Sequence, residues 1–199
     1  KKYLDKAMKT AVTAYETSSN REVGKIKLLL GEWYLKNEQV EEAIQTYNSA
    51  LSSVVKNFAP KHFYDNPTFA DLFEENTIFE ALTGKSKALK ALYFQTKDVA
   101  ALETALQCHQ LAFQTEQLLR SVYQVEASKL ELQQSSRARD AAAIDIAYLL
   151  HQETDDSDYL EQAFQIAEQS KSTVLLDAIA DNLFKQALAT KDTLLLRQQ

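Results

Sequence analysis

Apolar residues recur along most of this chain at spacings of three, four and seven, the period of an amphipathic α-helix. Ile78, Leu82, Leu89 and Leu92 follow it clearly. In the second part of the chain the pattern predicts helices over 70–95, 98–119, 121–152 (with a candidate break at Ser135 and Ser136), 157–170 and 172–188. Asp98 and Ser157 are predicted N-caps, because each is a short hydrogen-bond acceptor just before an apolar-periodic run.

The helical period is interrupted at residues 57–69, where both prolines of the chain lie. Pro60 and Pro67 each disfavour helix at the preceding residue, so an irregular connection is predicted there. Its aromatic side chains are expected to fold back over an exposed helix face rather than to bind a cofactor. They are Phe58, Phe63, Tyr64 and Phe69.

The chain also repeats itself. Residues 92–107 align with residues 150–165 by a constant shift of 58, with seven identities in sixteen positions and no gap. The opening segment 3–8, YLDKAM, is similar to segment 159–164, YLEQAF. An internal repeat in a helical chain predicts that one supersecondary unit recurs and stacks on its neighbours.

One copy, between the other two, carries a more specific signature. Its spaced small and aromatic residues are Leu30, Gly31, Tyr34, Ala43, Tyr47 and Ala50. This pattern resembles a tetratricopeptide repeat, in which the small residues let two helices approach and the aromatic rings fill the space between them. Lys27 departs from it, since a large apolar residue is usual there, and Val55 stands where a proline usually opens the next unit.

The resemblance implies an all-α, right-handed superhelical solenoid of antiparallel helix pairs. Residues 1–199 would form a single domain. Its units would span about 1–20, 24–56, 76–119 and 121–188.

The later copies resemble a narrower group, the repeat region that precedes the caspase-like CHAT peptidase domain in large bacterial proteins. The match extends over most of residues 78–183, and its most specific part is carried by Glu168, Ser170, Lys171, Leu175 and Leu176. The peptidase's histidine and cysteine would belong to a separate domain, of which this chain shows nothing.

Composition agrees with an all-helical chain, since three Gly and two Pro are too few for the turns of a sandwich or barrel. The net charge is −6, and the 22 basic residues are scattered, which disfavours nucleic acid and anionic membranes as partners. No apolar run is long enough to span a membrane. A single cysteine, Cys108, excludes an internal disulfide and fits a reducing compartment such as the cytoplasm.

Sequence motifs for catalysis are weak. Gly84, Lys85 and Ser86 spell the end of a phosphate-binding loop, but Phe79 stands where its first glycine is needed, and the segment has a helical period. Neighbouring helical residues point about 100° apart, which disfavours a nucleophile–base pair of Cys108 and its neighbour His109. No metal-ligand spacing is present. The sequence therefore predicts a protein that is not an enzyme and that needs no cofactor.

We therefore expect a protein–protein interaction module, a fragment of a larger protein, that binds a protein or peptide. The alternative is the substrate-recognition or regulatory arm of a CHAT-type peptidase whose catalytic domain lies C-terminal to this chain. A scaffold for self-association is a third hypothesis, since neither end shows a polar capping helix.

In tetratricopeptide repeats the first helix of each pair lines a concave groove. The resemblance places nine partner-binding residues there: Lys25, Leu28, Glu32, Lys36, Lys85, Tyr93, Tyr148, His151 and Gln152. Ile144 and Leu35 would lie beside them. This lining of apolar and mixed charged residues disfavours a clamp for a terminal carboxylate, and it favours an internal peptide segment or a neighbouring domain.

Overall fold

The computed structural model of the chain describes residues 2–15, 20–122 and 126–172. These residues form α-helices joined by turns and one longer connection, and they contain no strand. The helices are α1 (Lys2–Tyr15), α2 (Arg21–Lys36), α3 (Val40–Val54), α4 (Asn76–Thr96), α5 (Val99–Val122), α6 (Glu126–Thr154) and α7 (158–172). The all-α prediction is confirmed. The helix predicted over 172–188 lies outside the described residues apart from its first position, and α6 continues without a break through Ser135 and Ser136.

The helices pack in chain order. From α1 to α6, each helix contacts the next one along the chain, and alternate helices also meet, α2 with α4 and α4 with α6. Turns of two or three residues join α2 to α3 and α4 to α5, so the helices of each pair run antiparallel. Tyr159 and Ala163 pack α7 against the same hydrophobic core.

Tyr47 of α3 fills the space between α2 and α4. A Cβ atom added to Gly31 of α2 would lie 2.9 Å from Cε1 of the Tyr47 ring, and one added to Gly84 of α4 would lie 2.5 Å from its Cζ. The ring therefore fills the space that side chains at positions 31 and 84 would need. Ala43, a small residue of the signature, is fully buried, and so is Ala105 of α5.

Lys27 explains one departure from the repeat signature. This half-buried side chain reaches across to α3, where its ammonium donates to the Ser53 hydroxyl at 2.7 Å and to the Ser49 carbonyl at 3.1 Å. Burial lowers the pKa of Lys27. A lysine thus holds α2 to α3 where an apolar side chain was expected.

The turn between α4 and α5 is closed by four hydrogen bonds. Thr96 donates its hydroxyl to the Leu92 carbonyl at 2.9 Å and accepts from the Asp98 amide at 3.2 Å. Lys97 adopts the left-handed conformation, with φ of 59°, and its amide donates to the Tyr93 carbonyl. The carboxylate of Asp98 then accepts from the amide of residue 100 at 3.0 Å, which confirms it as the N-cap of α5.

The turn between α6 and α7 has the same construction 58 residues later. Thr154 donates to the Leu150 carbonyl at 2.7 Å and accepts from the Asp156 amide at 3.3 Å. Asp155 is left-handed, with φ of 57°. Asp156 accepts from the Asp158 amide at 2.9 Å, so its carboxylate supplies the capping bond that was predicted for Ser157. The two aligned segments therefore share a turn of the same backbone conformation and hydrogen bonding.

The connection between α3 and α4, residues 55–75, is here called the strap. It contains a single 3₁₀ turn, Phe69–Asp71, closed by the Asp71 carboxylate on the amide and hydroxyl of Thr68 at 2.9 and 2.6 Å. The chain is extended again at Leu72, and α4 starts only after Glu75 caps the Thr77 amide at 2.9 Å. The prediction that this helix begins at residue 70 was wrong, because two capping signals lie close together and the first closes one turn only.

Polar groups from three helices hold the strap in place. The Lys85 ammonium of α4 donates to the Asp65 carbonyl and to Asn66 Oδ1, the latter at 2.9 Å. Cys108 of α5 donates its thiol to the same Asn66 oxygen at 3.2 Å, and Asn48 of α3 donates to the His62 carbonyl at 3.3 Å. The strap is thus fixed along the middle of its length.

Three strap aromatics, Phe58, Phe63 and Tyr64, pack against the core, as predicted. The Tyr64 hydroxyl also donates to Asp98, at the turn between α4 and α5. Phe69 does not follow the prediction, since 63% of it is exposed in the 3₁₀ turn. The strap therefore covers the helices with its first half and leaves an aromatic ring outside.

A buried cluster of charges joins α5 to α6. Glu116 accepts from Nε of Arg120 on its own helix at 2.7 Å and forms an ion pair with Arg139 of α6 at 2.5 Å, and Arg139 also donates to Asp140 at 2.6 Å. The four formal charges cancel. Because removing one partner would leave a buried charge uncompensated, the cluster fixes how α5 and α6 align.

Candidate binding face

The exposed stripe of α4 lies between two neighbouring helices. On one side, Thr77 and Gly84 of α4 approach α2 and the ring that packs on it. On the other side, Lys90 forms an ion pair with Asp145 of α6 at 3.2 Å. Between these edges run three exposed residues at a spacing of seven, Glu80, Lys87 and Phe94. The stripe thus belongs to a surface shared by three alternate helices, which we call the α2–α4–α6 face.

On α2 the exposed stripe consists of Lys25, Leu29, Glu32 and Lys36, at spacings of four, three and four. The charged members pair along the helix: Lys25 with Glu22 at 3.0 Å, and Lys36 with Glu32 at 2.7 Å. Exposed pairs of this kind contribute little to stability, so they remain available to a partner. Leu29 lies between them and is 55% exposed.

On α6 the exposed stripe includes Asp145, Tyr148 and Gln152. Tyr148 is 52% exposed, three residues after the aspartate that joins α6 to α4. Each of the three helices therefore presents one large, half-exposed apolar or aromatic side chain: Leu29, Phe94 and Tyr148.

The structure brings five of the nine predicted residues to this face. They are exposed, namely Lys25, Glu32, Lys36, Tyr148 and Gln152. His151 is half-buried, and its Nδ1 atom lies 2.9 Å from the Asp156 carbonyl, so it closes the turn before α7. The two residues predicted beside them, Leu35 and Ile144, are partly buried against the core.

The remaining three predicted residues, Leu28, Lys85 and Tyr93, are buried, so the prediction that they line an open groove was wrong. Leu28 lies in the hydrophobic core. Lys85 is wholly buried under the strap, and Tyr93 donates its hydroxyl to Glu153 of α6. Each side chain has an internal partner that the repeat register does not reveal.

Sequence reasoning missed Leu29, Lys87 and Phe94. Helical spacing alone finds the first, because Leu29 is four residues after Lys25 and three before Glu32. Phe94 immediately follows Tyr93, the residue predicted to line the groove on α4. The signal was therefore present, and alignment to a repeat pattern displaced it by one position.

Phe94 has a cationic neighbour. The Lys97 ammonium lies 5.6 Å from the centroid of the Phe94 ring and 4.9 Å from that of Tyr93. These distances are typical of cation–π contacts. The end of α4 therefore presents an aromatic ring beside a positive charge.

Gly84, Lys85 and Ser86 have structural roles. Gly84 lies within α4 against Tyr47, the Lys85 ammonium binds the strap, and Ser86 donates its hydroxyl to the Ala105 carbonyl of α5 at 2.9 Å. Burial lowers the pKa of Lys85. The three residues that suggest a phosphate loop hold α3, α4, α5 and the strap together.

Cys108 and His109 have separate environments. Burial raises the pKa of the Cys108 thiol to about 11, and its contact is with the strap. Burial, reinforced by the positive charge of Arg139, lowers the pKa of His109 to about 3. The thiol stays protonated, and the imidazole lies near Arg139 and Glu116 instead of activating the thiol. Both side chains therefore have the properties of packing residues.

Among the described residues, no group of three or more His, Cys, Asp or Glu side chains could hold a metal ion. Within the same part of the chain, none of the helices combines the length and the apolar character that crossing a membrane requires. Glu168 and Lys171, which carry part of the resemblance to the CHAT-associated region, form an exposed ion pair at 2.7 Å. Leu175 and Leu176 lie outside the described residues.

Comparison of the chain with protein-family models, curated protein sequences and solved structures gives no match. The resemblance to tetratricopeptide repeats and to the CHAT-associated region therefore stays a prediction from the sequence.

Proposed function

We propose that this chain is a protein-interaction module that binds a segment of another protein on the α2–α4–α6 face. The observation that carries the proposal is the set of Leu29, Phe94 and Tyr148, one half-exposed apolar or aromatic side chain on each of three neighbouring helices. Interfaces draw most of their binding energy from a few such anchors surrounded by polar residues.

The surroundings of these anchors fit that pattern. Lys25, Glu32 and Lys36 flank Leu29. Lys97 lies beside Phe94, Lys87 precedes Phe94 by two helical turns, and Gln152 follows Tyr148 by one. Positive and negative groups both occur, which supports an internal peptide segment or a folded neighbour over a terminal carboxylate. Charges at the rim of such an interface contribute mainly to specificity and association rate.

We further propose that the helices form a tetratricopeptide-like right-handed solenoid. Support comes from the spaced signature around Tyr47, from contacts between alternate helices, and from the turn that recurs after 58 residues. Helix pairs that stack in this way leave an extended surface for binding.

The test is affinity capture with the wild-type chain and with a triple variant, Leu29→Ala, Phe94→Ala and Tyr148→Ala. Phe164→Ala is the matched control, because Phe164 of α7 is 66% exposed outside the face. We expect a protein that the wild type and the control retain and that the triple variant loses, with all three chains equally helical by circular dichroism. Equal retention by the triple variant would place the binding site elsewhere.

A further inference from the structure

An open cavity of about 800 Å³ lies between the strap and α5, away from the α2–α4–α6 face. The helix contributes four residues at spacings of three, one and three: Gln107, Gln110, Leu111 and Gln114. This spacing places all four on one side of α5. The opposite wall comes from residues 57–60 and 64–69 together with Asp71, and it includes Phe58, Pro60 and Phe69.

The strap wall is held in place by hydrogen bonds to the helices and within the strap. Asn66, which lines the cavity, accepts from both Lys85 and Cys108, and Tyr64 is bonded to Asp98. Asp65 accepts from the Lys61 and His62 amides at 2.6 and 2.9 Å. A cavity with a fixed wall requires little ordering when a ligand enters.

The three glutamines supply the recognition chemistry. Gln107 and Gln110 are exposed and Gln114 is partly exposed, and each side-chain amide carries two donors and an acceptor. Behind them, Asn66 Nδ2 is buried without a partner. The ionised residues of the lining, Asp65 and Asp71, already accept bonds from the strap's own amides. The cavity therefore offers neutral amide groups and two carboxylates that the strap's own amides already bind, and its lining holds no Lys or Arg.

We propose that this cavity binds an uncharged segment of another protein in extended conformation, and that Gln107, Gln110 and Gln114 pair with its backbone. A glutamine amide can both donate to a peptide carbonyl and accept from a peptide N–H. From Gln107 to Gln114 the helix rises by about 10 Å, the length of roughly three extended residues. An apolar side chain of the segment would contact Phe58 and Phe69, whereas phosphate groups would need the positive charges that the lining lacks.

The test begins with a phage library of random 12-residue linear peptides, selected on the full 199-residue chain. Dissociation constants of the enriched peptides are then measured by fluorescence polarisation. We expect uncharged peptides with an apolar residue, and a loss of affinity of about tenfold for Gln110→Ala, since one bidentate amide pair is removed. Gln95→Ala, an exposed glutamine of α4 outside the cavity, should leave the affinity unchanged.

Nuclear magnetic resonance gives a second readout, because the side-chain amide signals of Gln107, Gln110 and Gln114 should shift when the peptide binds. Failure to enrich any peptide would overturn the proposal. Enriched peptides that bind Gln110→Ala as well as wild type, or that shift other amides only, would also overturn it. Loss of binding in Phe94→Ala alone would assign the peptides to the α2–α4–α6 face, so the two proposals fail separately.

Discussion

Tyr47 and the two glycines around it show how single atoms set the spacing of three helices. The ring lies against Gly31 on one side and Gly84 on the other, and in each case a Cβ atom would overlap it. The aromatic position and Gly31 belong to the repeat signature, whereas Gly84 belongs to the segment that suggests a phosphate loop. A glycine in this segment is explained by the ring that it accommodates.

Replacing Gly84 by alanine should therefore destabilise the chain. Helix propensity favours alanine by about 1 kcal/mol, but its Cβ would lie 2.5 Å from Tyr47 Cζ, so the ring has to move and we expect a net loss of about 1–3 kcal/mol. Denaturant unfolding measures this change. Gly24→Ala is the matched control, because its Cβ would lie 3.0 Å from a threonine methyl and need less movement. If Gly84→Ala were as stable as the wild type, the packing described for Tyr47 would be incorrect.

His109 should make the fold sensitive to mild acid. Its pKa is about 3 in the folded chain against about 6.5 when unfolded, so the unfolded chain binds an extra proton between these values and stability falls as the pH falls. Between pH 7 and pH 5 we expect His109 to account for a loss of about 2 kcal/mol in the free energy of unfolding.

This loss can be isolated with His109→Gln, which should unfold with a weaker pH dependence over the same range. His62→Gln replaces an exposed strap histidine and serves as the control, with the wild-type dependence expected. An unchanged pH dependence in His109→Gln would show that this imidazole is not buried in its neutral form.

At the scale of elements, the strap depends on groups far from it in sequence. Lys85 is 20 residues from the carbonyl that it binds, and Cys108 is 42 residues from Asn66. Helical periodicity predicts which residues face the core, but it does not predict which distant polar group a buried side chain contacts. This is why the sequence predicted the irregular connection and three of its packing aromatics, yet placed Lys85 in an open groove.

Lys85→Met should loosen the strap. Methionine has a similar length and no ammonium, so the Asp65 carbonyl and Asn66 lose a donor, and we expect residues 61–67 to exchange their amide hydrogens faster than in the wild type. Amides of α2 and α3 should keep their protection. The control is Lys87→Met, which replaces an exposed lysine two positions along the same helix. Equal exchange of the strap in all three chains would contradict the anchoring role of Lys85.

The same scale shows what periodicity predicts well. Among the described residues, the predicted ends of the helices of the second half lie within five residues of those observed, except for the start of α4, where the Thr68–Asp71 box closes a turn that goes no further. The helix predicted over 172–188 lies outside the described residues apart from its first position. The shift of 58 residues predicted a repeated unit, and the two matching turns have left-handed residues at Lys97 and Asp155. Caps and turns of this kind can be predicted from the sequence because the residues that interact in them are only a few positions apart.

At the scale of the whole molecule, the α2–α4–α6 face depends on how alternate helices pack against one another. Leu29, Phe94 and Tyr148 are far apart in the chain, and they lie on one face because α2 contacts α4 and α4 contacts α6. The sequence predicted five residues of this face and missed its apolar centre on two helices. The resemblance to a repeat indicated which helices form the face. One-residue shifts in the alignment then selected the wrong residues on α2 and α4.

Site-specific photo-crosslinking tests the binding role of this face most directly. Benzoylphenylalanine would replace Phe94 in one chain and Phe164 in another, and each chain would be irradiated in a lysate of the cells that produce the protein. We predict a covalent adduct with a partner protein through position 94, reduced by Leu29→Ala and Tyr148→Ala, and no such adduct through position 164. A partner that crosslinks through position 164 and not through position 94 would contradict the assignment of the α2–α4–α6 face.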